Sequence, residues 1–205
     1  MWPAWLFIGV CSALGLGAIL ILYFFKNIPL QDMVKDPNAV SGLAFHTGLL
    51  SQFGVFFWSA AASYALQAVI ALRCWRPHPD RWFWIGATVL TVMLGMDDAL
   101  LLHEDLMPRA GVDELWVFGF YGGTTLSFLL INWRTVLRTD YLILGVSLMC
   151  FAISMTVDLI SYIAQPHFLL EDSFKFVGIV SWAVYFYRAN QQSLQLQSLH
   201  ATGVT

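Results

Sequence analysis

Six stretches of roughly twenty predominantly apolar residues follow one another along this chain, and they leave few folds open to it. A hydrocarbon core about 30 Å thick is crossed by a helix of about 20 such residues. The stretches are Trp5–Phe25, Gly48–Leu72, Trp82–His103, Leu115–Trp133, Tyr141–Ile163 and Phe168–Tyr187. None alternates over about ten residues as a barrel strand would. Overall the chain is 59% hydrophobic and 11% charged, far from the quarter charged of a soluble domain. The expected fold is all-α: a polytopic bundle of six transmembrane helices. The expected organisation is a membrane domain over 1–188 and a polar C-terminal extension over 189–205, the latter fraying from the last helix.

The first stretch has no basic residue before it and no small-x-small cleavage site after it, so it reads as a membrane helix and not as a secretory signal. Arg73, Arg76, Arg81, Arg134, Arg138 and Arg188 fall in loops on one side, against Lys26, Lys35, Arg109 and Lys175 on the other. The positive-inside bias then places both termini in the cytoplasm, in a multi-pass protein of a bacterial inner membrane. Net charge is −3, with no basic patch for a nucleic acid. Cys11, Cys74 and Cys150 share no metal-type spacing and read as packing residues.

Against this apolar background stands Met96–Asp105, M-D-D-A-L-L-L-H-E-D. Ionisable residues within a span are costly and mark functional sites. At 1.5 Å per residue, Asp97 lies roughly 22 Å above Trp82 and Asp158 about 25 Å above Tyr141. Glu171, Asp172 and Lys175 occupy the first two turns of the sixth span, and His46 precedes the second. All fall in the outer third of the bilayer. On a continuous helix Asp97 shares a face with Glu104, and Asp98 with Asp105, while His103 points elsewhere. Asp105, Asp113 and Glu114 read as solvated helix ends, and Glu171 with Lys175 as an i,i+4 ion pair.

So many acids in a low-dielectric region retain protons or bind a divalent ion. The expected metal ligands are Asp97, Asp98, His103, Asp158 and Glu171, with Zn, Mn or Fe favoured over Ca or Mg. Glu104 and His103 are the candidate catalytic residues, Glu104 as a base activating bound water. Neither paired Glu-x-x-His nor His-Glu-x-x-His occurs. The reaction class that fits is metal-dependent hydrolysis of a membrane lipid or other amphiphile. The alternatives are an accessory subunit bound to partner membrane subunits, and a proton or cation transporter.

The stretch Asp97-Asp98-Ala99-Leu100-Leu101-Leu102-His103-Glu104 resembles a D-D-x-x-L-x-H-E motif of bacterial multi-pass membrane proteins. A second stretch, Glu171 through Phe186 with Lys175, Gly178, Trp182 and Tyr185, is similar to theirs as well. This resemblance covers the second half of the chain and implies no activity. Membrane hydrolases of the alkaline ceramidase type gather His, Asp and Ser around zinc near one face. Their seven spans and H-x-x-x-H motif are missing here, so that likeness is one of architecture alone.

Overall fold

A computed structural model of the chain describes residues 13, 16–17, 20–26, 28–29, 37–44, 46–73, 80–161 and 168–201. The described residues are helical, with turns between helices and no strand. Of the expected first span, residues 20–26 are helical and most of the remainder lies outside the described residues, as do Cys11, Cys74, Arg76 and the 162–167 connection. The chain divides into two compact units, Met1–Leu49 and Leu50–Thr205. In the first, a short helix spans Pro37–Ser41, and Asn38 Nδ2 donates to Thr47 O at 3.0 Å. His46 lies in this unit.

Five long helices follow: α1 (Leu49–Arg73), α2 (Arg81–Leu100), α3 (Glu114–Ile131), α4 (Tyr141–Ser161) and α5 (Phe168–Ala201). Four helices are long and apolar enough to cross a membrane, over Leu49–Leu72, Arg81–Leu100, Glu114–Ile131 and Tyr141–Asp158. These correspond to the second to fifth expected spans. The charged first two turns of α5 and its polar tail keep it out of that set. The tail does not fray after Tyr187; the helix continues to Ala201. Asn190 Nδ2 donates to Gln67 Oε1 at 2.8 Å and Gln192 Nε2 to Asp140 Oδ2 at 3.0 Å, which ties the extension to the bundle.

The periodicity of each helix selects its inner face. On α1, Trp58, Ala61, Ala65, Ala68 and Leu72 are buried, a stripe spaced three and four residues apart. Its alanines permit close helix approach. Facing them are Phe83, Trp84, Ala87 and Leu90 of α2 and Ile179, Trp182, Ala183 and Phe186 of α5. Helices α4 and α5 meet closely at Gly178. A Cβ there would stand 2.8 Å from Phe151 Cε1, and Ser147 Oγ donates to Gly178 O at 2.7 Å. Because lipid is as apolar as leucine, such packing and interhelical hydrogen bonds hold a bundle of this kind together. Trp182 Nε1 donates to Thr91 Oγ1 at 3.0 Å, and Tyr185 Oη and Thr139 Oγ1 are 2.9 Å apart. Helix α3 buries only Val117 and leaves Trp116, Phe120, Leu126, Leu130 and Ile131 exposed.

Candidate functional site

Helix α2 stops earlier than the apolar run suggests. Leu101 adopts a left-handed conformation (φ 51°, ψ 44°), the one positive-φ residue other than glycine among the described residues. A π-helical turn, Leu102–Leu106, follows it, then a short helical turn over Met107–Arg109. A left-handed non-glycine residue costs about 1–2 kcal/mol, so the turn beyond it must be held by other contacts.

Asp97 supplies them. Its Oδ1 accepts from the His103 backbone N at 3.0 Å and from Tyr121 Oη at 2.8 Å, and its Oδ2 faces His103 Nδ1 at 2.5 Å. Sequence reasoning paired Asp97 with Glu104 and sent His103 to another face. That geometry assumed an unbroken helix; the break at Leu101 folds His103 back over Asp97. His103 Nε2 then lies 3.4 Å from Glu104 Oε1. Asp97 and His103 are buried, whereas the Glu104 side chain is half exposed.

Asp98 points to the opposite partner. Lys175 Nζ lies 2.7 Å from Asp98 Oδ1 and 3.9 Å from Glu104 Oε1. The expected Glu171–Lys175 pair is therefore not formed, because the ammonium turns inward to a buried carboxylate. Asp105 pairs with Arg109 at 2.7 Å on the surface, and Asp113 caps α3 by accepting from Leu115 N at 2.9 Å. Glu114, expected at a solvated end, lines the same cavity as Asp158, Glu171 and Asp172.

A family model matches residues 5–189 of the 205. The chain belongs to the DUF8692 family, a domain of unknown function. No curated protein and no solved structure matches it.

The cavity of this DUF8692 domain has a volume of about 670 Å³ and joins α1 through α5. Its wall changes character with depth. Asp97, Asp98, His103, Glu104, Asp158 and Lys175 mark the charged end, and Trp58, Leu94, Phe118, Leu129, Phe151 and Trp182 the apolar remainder. Tyr121 and Trp58 were not singled out from sequence. A tyrosine two turns into α3 stands at the depth of Asp97, a signal available from helix rise alone. Trp58 sits among eight other tryptophans, and nothing in its neighbours distinguishes it.

His103 and Glu104 lie beyond the end of the α2 span, so their protonation follows from local contacts. Burial opposes a charge on His103. The hydrogen bonds to Asp97 and Glu104 and the Asp97 charge outweigh burial and the Lys175 repulsion, raising the imidazole to about 9. Glu104 is held below the usual carboxylate range, first by its bond to His103 and then by Lys175, against partial burial. The resting pair is thus imidazolium and carboxylate near neutral pH.

Among the described residues, no group of three or more His, Cys, Asp or Glu has the arrangement to hold a metal ion. The expected ligands Asp97, Asp98, His103, Asp158 and Glu171 are not gathered into one. Both Asp97 oxygens are committed to His103 and Tyr121, and Asp98 Oδ1 to Lys175. Lys175 stands against Asp98 and His103 against Asp97.

Proposed function

We propose that this chain is a six-span bacterial inner-membrane protein, both termini cytoplasmic, that takes an amphiphilic molecule into the cavity and hydrolyses it by acid–base chemistry. The observation that carries this reading is one cavity with an apolar, aromatic interior and an oriented Asp97–His103–Glu104 array at its charged end. Binding sites of this size are mostly apolar with a few placed polar groups. A lipid-like tail matches the interior, and an ester or amide next to a headgroup would lie beside the array.

The roles follow from the contacts. Asp97 fixes the imidazole through Nδ1 and leaves Nε2 to the cavity side, as an orienting carboxylate does in hydrolytic triads. Glu104, ionised and half exposed, accepts a proton from the attacking water. The imidazolium donates its Nε2 proton to the departing oxygen or nitrogen. Water supplies hydroxide to the acyl carbon, and the scissile bond breaks as the leaving group gains the proton. Glu104 then returns its proton to His103 across their close contact, so both end as they began.

The test is turnover by purified protein in lipid nanodiscs. A panel of acyl esters and amides with C8–C18 chains is followed by mass spectrometry of released acids. His103→Gln and Glu104→Gln are each expected to lower the rate about 100-fold or more, with the folded state intact by melting. Release that is equal in wild type and both variants, or no release from any substrate, overturns the reading.

A further inference from the structure

The wall of the cavity is sealed on some helices and open on others. Trp58 of α1, Asp97 and Asp98 of α2 and Trp182 of α5 line it and are buried. The exposed lining residues fall into two sets. Glu104 and Asp172 belong to the charged end. Gly122 and Leu126 of α3 and Ala152 and Met155 of α4 belong to the apolar part, with Leu126 57% and Met155 38% exposed. A residue that lines a cavity and is also exposed marks its rim. Gly122 and Leu126 lie one turn apart on one face of α3, and Ala152 and Met155 one turn apart on one face of α4. A Cβ on Gly122 would meet nothing within 4 Å.

The bonding pattern leaves this side of the bundle unfastened. Helix α3 is held to α2 and the turn after it: Phe128 stacks on Phe83 at 5.4 Å, Tyr121 Oη donates to Asp97, and the Phe118 ring lies 5.2 Å from that of His103. Helix α4 is held to α1 and α5: Phe151 stacks on Trp58 at 5.9 Å, and Ser147 Oγ donates to Gly178 O. Among the described residues no hydrogen bond, ion pair or ring contact joins α3 to α4. Glu114 at the start of α3 and Asp158 near the end of α4 both line the cavity. By helix rise, Gly122 and Leu126 lie about 12 and 18 Å along α3 from Glu114, and Met155 and Ala152 about 5 and 9 Å along α4 from Asp158.

We propose that the gap between α3 and α4 is a lateral portal through which an acyl chain of a bilayer lipid enters the cavity, its headgroup remaining at the charged end. This rests on the reading of the cavity as an amphiphile site, and it narrows the substrate class to lipids already dissolved in the bilayer. Both helices are long and apolar enough to cross a membrane, and in that setting hydrocarbon, not water, stands against the rim. The four rim residues carry no polar side chain, which suits an alkyl chain and excludes a headgroup. Entry from the bilayer keeps every methylene among apolar neighbours. Entry from water would expose the chain first and then carry it past Glu104, Glu114, Asp158 and Asp172.

Photo-crosslinking of the full chain in nanodiscs tests the portal. The probe is a phosphatidylethanolamine with a diazirine midway along one acyl chain, and adducts are mapped by peptide mass spectrometry. The expected result is labelling of Leu94 and Phe151 on the cavity wall together with Phe120 and Leu130 outside it. Gly122→Trp should reduce the Leu94 and Phe151 adducts to background and leave those at Phe120 and Leu130 unchanged. Met155→Trp plugs the gap from the opposite edge and carries the same test should Gly122→Trp fail to fold. Gly123→Trp turns the same ring about 100° away from the rim and should leave labelling of the wall intact. Wall adducts that persist in both plugged variants, or that Gly123→Trp removes as well, overturn the portal and leave the cavity reading standing. Absence of wall adducts in the wild type overturns the cavity reading and the portal with it.

Discussion

Replacing Lys175 by methionine keeps the length and apolar stem of the side chain and removes the ammonium that sits 2.7 Å from Asp98 Oδ1. At an effective dielectric near 20, a charge pair at that distance attracts by about 6 kcal/mol before desolvation is counted. The Asp98 side chain is 6% exposed and that of Lys175 30%. Breaking a fully buried pair costs about 3–5 kcal/mol, mostly the penalty of the stranded partner. Solvent at the lysine end trims this, so about 2–3 kcal/mol is expected for Lys175→Met. Asp98→Leu should cost less, about 1 kcal/mol, because Lys175 can turn toward Glu104, 3.9 Å away. The double variant has no stranded charge. It should lie about 2 kcal/mol above the sum of the singles, a coupling typical of contacting residues. The assay is reversible unfolding by sodium dodecyl sulfate in mixed micelles, followed by circular dichroism. Additivity of the two substitutions to within about 0.5 kcal/mol would show that the pair does not contribute as argued.

Three further outcomes are expected. Because the folded His103 is raised from 6.5 to about 9, its contribution to stability is fully present below about 6.5 and is lost as pH rises through about 9. The melting temperature should fall over that window, and His103→Gln should flatten the fall; an unchanged slope counts against the Asp97–His103 contact. Gly178→Ala places a methyl 2.8 Å from a Phe151 ring carbon; it should cost about 1–3 kcal/mol in the same unfolding assay. Phe151→Leu should return part of that loss, and no rescue would place the cost elsewhere. Leu101→Gly relieves the left-handed backbone and should hold or raise stability by up to about 1 kcal/mol, since Leu101 is 46% exposed and loses little burial. Leu101→Val, β-branched, should lower it, and the reverse order would contradict the strain argument.

The helical fold and the meeting of Asp97, Asp98, Asp158 and Glu171 on one cavity were legible because both rest on helix geometry. Apolar length marks a span, and a rise of 1.5 Å per residue sets the depth of Asp97 and Asp158. What was not legible follows from contacts that no local pattern encodes. Glycine or asparagine signals a left-handed residue, and Leu101 is neither, so the break and the return of His103 left no trace in the spacing. Lys175 follows Glu171 by four, the spacing of a local pair, yet its partner is Asp98, seventy-seven positions back. A buried carboxylate without a partner is the larger cost, and it takes the cation. The Gln-rich tail reads as a solvated extension because its partner for Asn190, Gln67, lies on α1. Composition describes a segment, not what packs on it.

The same logic decides which part of the site holds the other. The left-handed Leu101 opposes folding by about 1–2 kcal/mol, and the π-helical turn after it has poorer geometry than an α-helix. Asp97 receives His103 N, His103 Nδ1 and Tyr121 Oη, three hydrogen bonds on one carboxylate. Bonds to a charged group contribute about 1.5–3 kcal/mol each, so together they exceed the strain. The break therefore does not present the site; the site holds the break. The stripe Glu171, Lys175, Gly178, Trp182 and Tyr185 on α5 extends the same arrangement down one helix face. Its upper turn meets Asp98, its glycine admits Phe151, and its lower turns bond to Thr91 and Thr139. A residue lost from this stripe or from the Asp97 contacts should therefore disturb the proposed site and its packing together, and Asp97→Ala most of all, because it frees Leu101 to continue α2 and carries His103 away from the cavity.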